Sequence, residues 1–440
     1  MGKYSIFIAR WIWLLACCVS FYCLVQYVSR HDNSEGLTRV ERALPPWLPY
    51  GSNDVRNKTV EEDYEFNPSQ HNRSAFFATE VLTSCPINLK KRMKCNADAK
   101  APPKLILSWN VGATQENLGG CPDWNCELTH DMKKLKEADA VLFYEGVDIN
   151  RTSNQYFIYF SQESPKNSRA NIPYDSFYNM SLGFRHDSPT SSPYGYTVKL
   201  SARSRLSKEV VDMTRVNKKS KGAAWFVSHC YTNSKREKYV EQLQKHFPVD
   251  IYGGCSQLKC ARGGKCENAL DDEYHFYIAF ENSICKDYVT EKLWNQGYRR
   301  DVVPIVLKRS LVEKIVPPHS FIAADDFNTT KDLANYLRYL MQNKSAYTEY
   351  FNWRRDYKVV FLDGNAHDSL ERPWGFCQIC RLIWENPRPH YSIPNFKKYW
   401  DWSCEKDGEL VDRILENEIG SSGKHLVLSA GKSTAQSSSK

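Results

Sequence analysis

The chain contains no Asp-x-Asp anywhere in its 440 residues. Transferases that hold a diphosphate through a cation often use closely spaced carboxylates of that kind. The nearest acidic clusters, Asp271-Asp272-Glu273 and Asp325-Asp326, read as solvated loops. No obligatory metal or other cofactor is therefore expected, and a divalent cation, if it acts, only stimulates. Basic residues outnumber acidic ones, 59 to 51, yet no Lys/Arg block is long enough to form a nucleic-acid stripe. One C-x-x-C occurs, Cys377 to Cys380, with no second C-x-x-C or H-x-x-x-H to complete a zinc site, so a disulfide role is the better reading. No internal repeat recurs, which sets aside repeat architectures.

What is present begins at the N-terminus. Residues 11–28 (WIWLLACCVSFYCLVQYV) form an apolar run of about membrane-spanning length. Lys3 and Arg10 precede it, and a long polar chain follows. The positive flank predicts a cytoplasmic tail over 1–10, an anchor over 11–28 and a lumenal remainder. A cleaved signal peptide is the rival reading, but the run exceeds a typical h-region and no clear small-x-small site ends it. Residues 29–84 are polar, with Pro45, Pro46 and Pro49 clustered, and read as a stem. Residues 420–440 are Ser/Gly/Lys-rich and read as a disordered tail.

The cysteines agree with a lumenal remainder. Of 15, three lie in the anchor and twelve beyond it, which suggests an oxidising compartment with several disulfides. Cys121/Cys126 and the trio Cys255, Cys260 and Cys266 read as local loop staples, whereas Cys260 and Cys404 have no nameable partner. Six N-x-S/T sequons, at Asn57, Asn72, Asn150, Asn179, Asn328 and Asn343, support passage through the secretory pathway.

Between stem and tail, short apolar runs alternate with amphipathic stretches, the pattern of an α/β fold. Strands are predicted at 104–109, 140–144 and 156–161, then at 223–229, 249–252, 276–280 and 302–307. Helices are predicted at 234–246, with Ser234 and Glu237 as a capping box, near 288–298 and at 331–342. Two such β/α sets joined by a polar connector imply two Rossmann-like domains facing a cleft, over 85–215 and 216–365. The segment 366–419 would pack back on the first. The 12 Trp and 26 Tyr suit stacking on sugars and bases, and suit an aromatic core equally.

The richest segment is 276–295, FYIAFENSICKDYVTEKLWN. A buried strand ends at Phe280-Glu281-Asn282-Ser283, and a helix follows that Asp287 could cap. Ligands of open α/β sheets sit beyond the carboxyl ends of strands, where helix N-termini offer N–H groups to phosphate. On that helix Tyr288, Glu291, Lys292 and Asn295 would share a face. They supply an aromatic ring, a carboxylate, an ammonium and an amide, a kit suited to a sugar nucleotide. A surface helix bearing a Glu/Lys pair would look the same from these residues alone.

This run resembles the motif of the α1,3-fucosyltransferases, glycosyltransferase family ten. The likeness continues through Val303-Pro304-Ile305-Val306, Pro317-Pro318-His319-Ser320-Phe321-Ile322 and Tyr350-Phe351-Asn352-Trp353-Arg354. Upstream it includes WFVSHCYTNSKREKYVEQL and FSQESP at 160–165, and it spans about residues 85–405. The stretch DSLERPWGFCQICR, 368–381, is similar to nematode members, several of which fucosylate the N-glycan core. The resemblance implies a two-domain GT-B fold and inverting transfer from GDP-β-L-fucose to the 3-hydroxyl of N-acetylglucosamine (GlcNAc) in an N-glycan or glycoprotein acceptor. A Lewis-type acceptor, GlcNAc in a Galβ1,4-GlcNAc antenna, is the alternative, and an inert glycan-binding protein a remote one. The resemblance also implies a type II protein of the Golgi membrane.

Carried over by the resemblance, Tyr288, Glu291 and Lys292 bind the nucleotide, Glu291 taking ribose hydroxyls and Lys292 the diphosphate. Asn282 joins them, Arg236 grips the β-phosphate, and Glu163 is the catalytic base. From the residues alone, Glu163 reads better as a solvated turn carboxylate and Arg236 as a salt-bridged helix residue. The resemblance further implies that Cys377 and Cys380 tie the C-terminal end to the acceptor domain through, or beside, Cys85 and Cys95.

Overall fold

The computed structural model describes residues 63–68 and 74–419, apart from Ser153, Arg169 and Arg262. The expected cytoplasmic tail, anchor and C-terminal tail, most of the stem, and the sequons at Asn57 and Asn72 lie outside the described residues. Among the described residues the fold is mixed α/β with three sheets.

Two strands open the described chain, β1 (Tyr64–Phe66) and β2 (Phe76–Leu82), paired antiparallel. Both fall inside the expected stem, so regular structure begins earlier than Cys85. β2 buries Phe76, Ala78 and Val81, its alternation slipping by one residue at the register shift between Ala78 and Glu80. The first lobe follows: β3 (Lys104–Ser108), β4 (Cys126–Thr129), β5 (Ala140–Phe143), β6 (Tyr156–Ser161) and β7 (Met180–Gly183). They pair in parallel in the order β4-β3-β5-β6-β7. Continuous apolar runs such as AVLF and YFIYF suit parallel strands covered on both faces.

After β8 (Gly195–Leu200) comes the second lobe: β9 (Lys221–Phe226), β10 (Val249–Tyr252), β11 (Tyr274–Ile278), β12 (Val303–Val306) and β13 (Ile322–Ala323). These are again all parallel, in the order β10-β9-β11-β12-β13. Helix Thr330–Gln342 buries Leu333, Ala334, Leu337 and Leu340 against this sheet's core. Its N-cap, Thr329, accepts the Asp332 N–H. Strand β14 (Tyr357–Phe361) then returns to pair with β8, closing a four-stranded antiparallel sheet, β1-β2-β8-β14, that the sequence pattern does not announce.

The C-terminal segment divides. Helix Gly375–Trp384 sinks into the first lobe's core and is bonded there by Cys121–Cys377 and Cys126–Cys380. Residues 409–419 are helical and instead place Leu410, Val411 and Ile414 in the second lobe's core. The disulfides correct the expected pattern. Cys121 and Cys126 are long-range ties rather than a local staple, while Cys85 and Cys95 are free thiols. Cys260 pairs locally with Cys266, Cys230 with Cys255, and Cys285 with Cys404.

Candidate active site

The carboxyl ends of β6 and β11 open onto one cavity of about 660 Å³, also bordered by the segment returning from β14. Glu163 lies two residues beyond β6. Its backbone is fixed by Ser161, whose hydroxyl accepts the Glu163 N–H at 3.2 Å and donates to the Glu163 carbonyl at 3.1 Å. Beside it, the Ser164 and Ser283 hydroxyls meet at 2.6 Å and join the lobes. The Glu163 carboxylate faces the cavity and accepts the Tyr288 hydroxyl at 3.2 Å. A first-lobe carboxylate and a second-lobe phenol thus touch across the gap. Burial, reinforced by Glu281, drives the Tyr288 pKa far above the ordinary phenol, so Tyr288 stays a donor.

Lys292 lines the same cavity. Its ammonium lies 3.0 Å from Glu281, 3.5 Å from Glu291 and 2.8 Å from the Thr290 hydroxyl. Burial pulls its pKa down, but Glu281 and Glu291 outweigh that, and the net shift is upward. Lys292 is therefore a fixed cation. Glu281 is held in turn by the Thr290 N–H at 2.7 Å and hydroxyl at 2.9 Å. No role for Glu281 was read from the sequence; the one signal is that it sits at a buried strand's carboxyl end.

The expected helix is different in kind. Tyr288–Thr290 are not helical, the helix begins at Glu291, and Lys292–Gly297 is a π-helix. Tyr288 and Lys292 meet at the cavity because a turn delivers one and a helix the other, not because they share a face. Asn295 does not line the cavity and accepts from Arg299 at 3.2 Å. Asp287 is not a cap. With φ 62° it takes the Ser84 hydroxyl at 2.6 Å and the His186 N–H at 3.0 Å.

Asn282 and Glu291 line the cavity, whereas Arg236 does not. Arg236 opens helix Arg236–Gln244 behind the β11 end and donates to the Phe280 carbonyl at 2.5 Å. Its Nε–H is buried without a hydrogen-bond partner, a cationic donor suited to an anion. Burial lowers its pKa, Glu281 opposing. The capping box expected there is absent: Lys235 is the N-cap, Ser234 donates to the Glu281 carbonyl, and Glu237 reaches Thr232.

The sequons differ in environment. Asn150 and Asn328 are exposed. Asn343 accepts the Ala346 N–H and donates to the Tyr339 hydroxyl. Asn179 is a correction: it is buried, accepts the Phe157 N–H at 2.7 Å and donates to the Tyr391 carbonyl at 2.8 Å. A glycan on the buried Nδ2 would crowd the bond to the Tyr391 carbonyl and find no room without opening the first lobe.

Comparison with known proteins follows the same division into two halves. Residues 101–195 match "Fucosyltransferase, N-terminal" and residues 216–400 match "Glycosyltransferase family 10 (fucosyltransferase) C-term". The Caenorhabditis elegans protein named alpha-(1,3)-fucosyltransferase fut-1 is 52% identical over 430 residues, covering 93% of this chain and 98% of that one. Alpha-(1,3)-fucosyltransferase C of Drosophila melanogaster is 31% identical over 329 residues, covering 68% and 75%. A crystal structure of an alpha1,3-fucosyltransferase with GDP aligns over 67% of this chain and 93% of that one, at 18% identity and a TM-score of 0.43. With both halves matched in order and a relative this similar from end to end, the chain is a fucosyltransferase of glycosyltransferase family 10.

Proposed function

We propose that this enzyme transfers L-fucose from GDP-β-L-fucose to the 3-hydroxyl of GlcNAc, with inversion, and that its acceptor is the innermost GlcNAc of an N-glycan core. The observation that carries the transfer chemistry is the Glu163–Tyr288 contact across a cavity that also holds the Lys292 cation. Glu163 takes the acceptor hydroxyl proton as that oxygen attacks the anomeric carbon from the face opposite GDP. The transition state is oxocarbenium-like, and negative charge grows on the departing diphosphate. Lys292, on the cavity wall, stabilises that charge, and Arg236, set behind the wall with an unpaired Nε–H, is assigned the β-phosphate. Glu291 and Asn282 are assigned to the donor's hydroxyls. On this reading protein cations neutralise the leaving group and no metal is obligatory.

The arrangement is read as GT-B: the first lobe receives the acceptor and the second the donor. The N-terminal apolar run, the disulfides and the exposed sequons support a type II protein of the Golgi membrane with a lumenal catalytic part. The 52% identity to an alpha-(1,3)-fucosyltransferase supports the linkage. In the test, the full-length detergent-solubilised chain is incubated with GDP-fucose and either a paucimannose glycopeptide or N-acetyllactosamine. Mass spectrometry reads the linkage. The glycopeptide is expected to gain α1,3-fucose on its innermost GlcNAc. Fucosylation of N-acetyllactosamine alone would assign the Lewis-type acceptor instead.

A further inference from the structure

One wall of the cavity is not used by the transfer chemistry. Asn117, on the turn Gln115–Leu118, and His367, in the segment returning from β14, meet there with Nδ2 and Nε2 3.2 Å apart. The amide is oriented from its other end. Asn117 Oδ1 accepts the Thr114 N–H at 2.8 Å, so its NH₂ faces the imidazole. His367 Nδ1 lies 2.7 Å from Glu371 Oε2, and the carboxylate holds the proton on Nδ1. Nε2 is therefore an acceptor beside an N–H donor at the cavity surface. In the structure Nε2 accepts the Asn117 N–H; a sugar hydroxyl, donor and acceptor at once, would insert into that bond, its O–H donating to Nε2 while its oxygen accepts from Asn117. Phe376, part-buried, lines the same wall and offers an apolar face to a pyranose ring.

The wall is preorganised. A Cβ on Gly119 would lie 2.4 Å from the His367 carbonyl oxygen, and one on Gly120 2.7 Å from that of Asp368. Only glycines let these backbones approach so closely, and Cys121–Cys377 ties the same two segments.

We infer that Asn117 and His367 form an acceptor subsite that clips one hydroxyl of the saccharide carrying the reacting GlcNAc, with Glu371 as the positioning residue that sets the imidazole tautomer. This rests on the fucosyl-transfer reading above. The ionisable groups facing His367 are all acidic: Glu371, Glu116 and Asp363. The Glu371 hydrogen bond raises the His367 pKa against the effect of burial. Below that raised pKa, Nε2 carries a proton, opposes the Asn117 donor and cannot accept. Acceptor binding therefore weakens in acid.

The test measures dissociation constants of a chitobiose-core glycopeptide and of N-acetyllactosamine for the full-length chain at saturating GDP, between about pH 5 and 8. Whichever acceptor the wild type fucosylates is expected to bind about tenfold more weakly at the acid end. His367→Leu loses about tenfold at neutral pH. His367→Gln, whose amide reaches the place of Nε2, keeps most of the affinity but not the pH dependence. Glu371→Gln moves the acid limb to lower pH. The dissociation constant for GDP stays within twofold of wild type, on the order of experimental scatter, in every variant. Unchanged acceptor affinity and pH profile in His367→Leu, with transfer by the wild type intact, overturns the subsite alone. A wild type that fucosylates neither acceptor overturns the transfer reading and the subsite with it.

Discussion

Glu163 meets the cavity with one proton donor on its carboxylate, Tyr288. The two residues make separable predictions. Glu163→Gln keeps the shape but cannot take a proton, so GDP binding is expected to persist while kcat falls by about 10²–10⁴. Turnover near wild type would remove Glu163 from the base role. Tyr288→Phe removes only the hydrogen bond that aims the carboxylate, and kcat/KM should fall by roughly tenfold. Steady-state kinetics with a saturating donor separates the two, and equal losses would mean that Tyr288 does more than aim. Tyr288 and Lys292 were readable because they stand together in one motif. Glu281 stands in the same string, but its role depends on a non-helical turn returning Thr290 to it. Asn117 and His367 are 250 residues apart, and no linear pattern joins them.

The parallel strands were the readable elements. Runs such as YFIYFS and VDIY need no partner to declare themselves, and β6 and β10 run as expected over 156–161 and 249–252. The antiparallel sheet was hidden because its four strands come from before, between and after the two lobes, one of them only three residues long. The π-helix was hidden because its residues carry an ordinary helical period, and Leu293 and Trp294 pack into the core as an α-helix's would. The C-terminal helical stretch over 409–419 makes a prediction at this scale. Buried Glu418 accepts the Thr330 N–H at 3.2 Å and hydroxyl at 2.7 Å, and lies 2.9 Å from His246. It satisfies an N-terminal donor of helix Thr330–Gln342 that the Thr329 cap leaves over. Glu418→Ala should destabilise the chain by about 2 kcal/mol and Glu418→Gln by less, measured by chemical unfolding. Equal and negligible losses would show that water serves as well.

Across the whole molecule, one buried cluster joins β2's end, the first lobe and the second. Ser84 donates its hydroxyl to Asp287 and its N–H to His186 Nδ1 at 3.2 Å, while the His186 N–H reaches Asp287. His186 must be neutral to accept at Nδ1. Burial holds its pKa below the ordinary value, and neighbouring Asp287 only partly opposes this. The unfolded chain then binds more protons than the folded one once pH drops below about 6.5, so stability falls with falling pH. His367 acts with the opposite sign: its raised pKa adds stability that is present in acid and lost as pH rises. The contribution of His186 is isolated by comparing wild type with His186→Asn, whose amide oxygen can take the Ser84 N–H without titrating. The drop in thermal midpoint between about pH 7 and 5 should be smaller in the variant. An identical drop would place the acid sensitivity elsewhere.

The ties Cys121–Cys377 and Cys126–Cys380, with sequence separations of 256 and 254, enclose all five strands of the second lobe, β9 to β13, between their ends. As the polypeptide leaves the ribosome, the amino-terminal half therefore emerges long before the helix that covers it and the thiols that lock it. It must wait, open and reduced at these positions, until nearly all of the chain has been made. A transcript ending anywhere within the second lobe would release not a smaller stable unit but a first lobe missing one wall, with two cysteines exposed to incorrect oxidation.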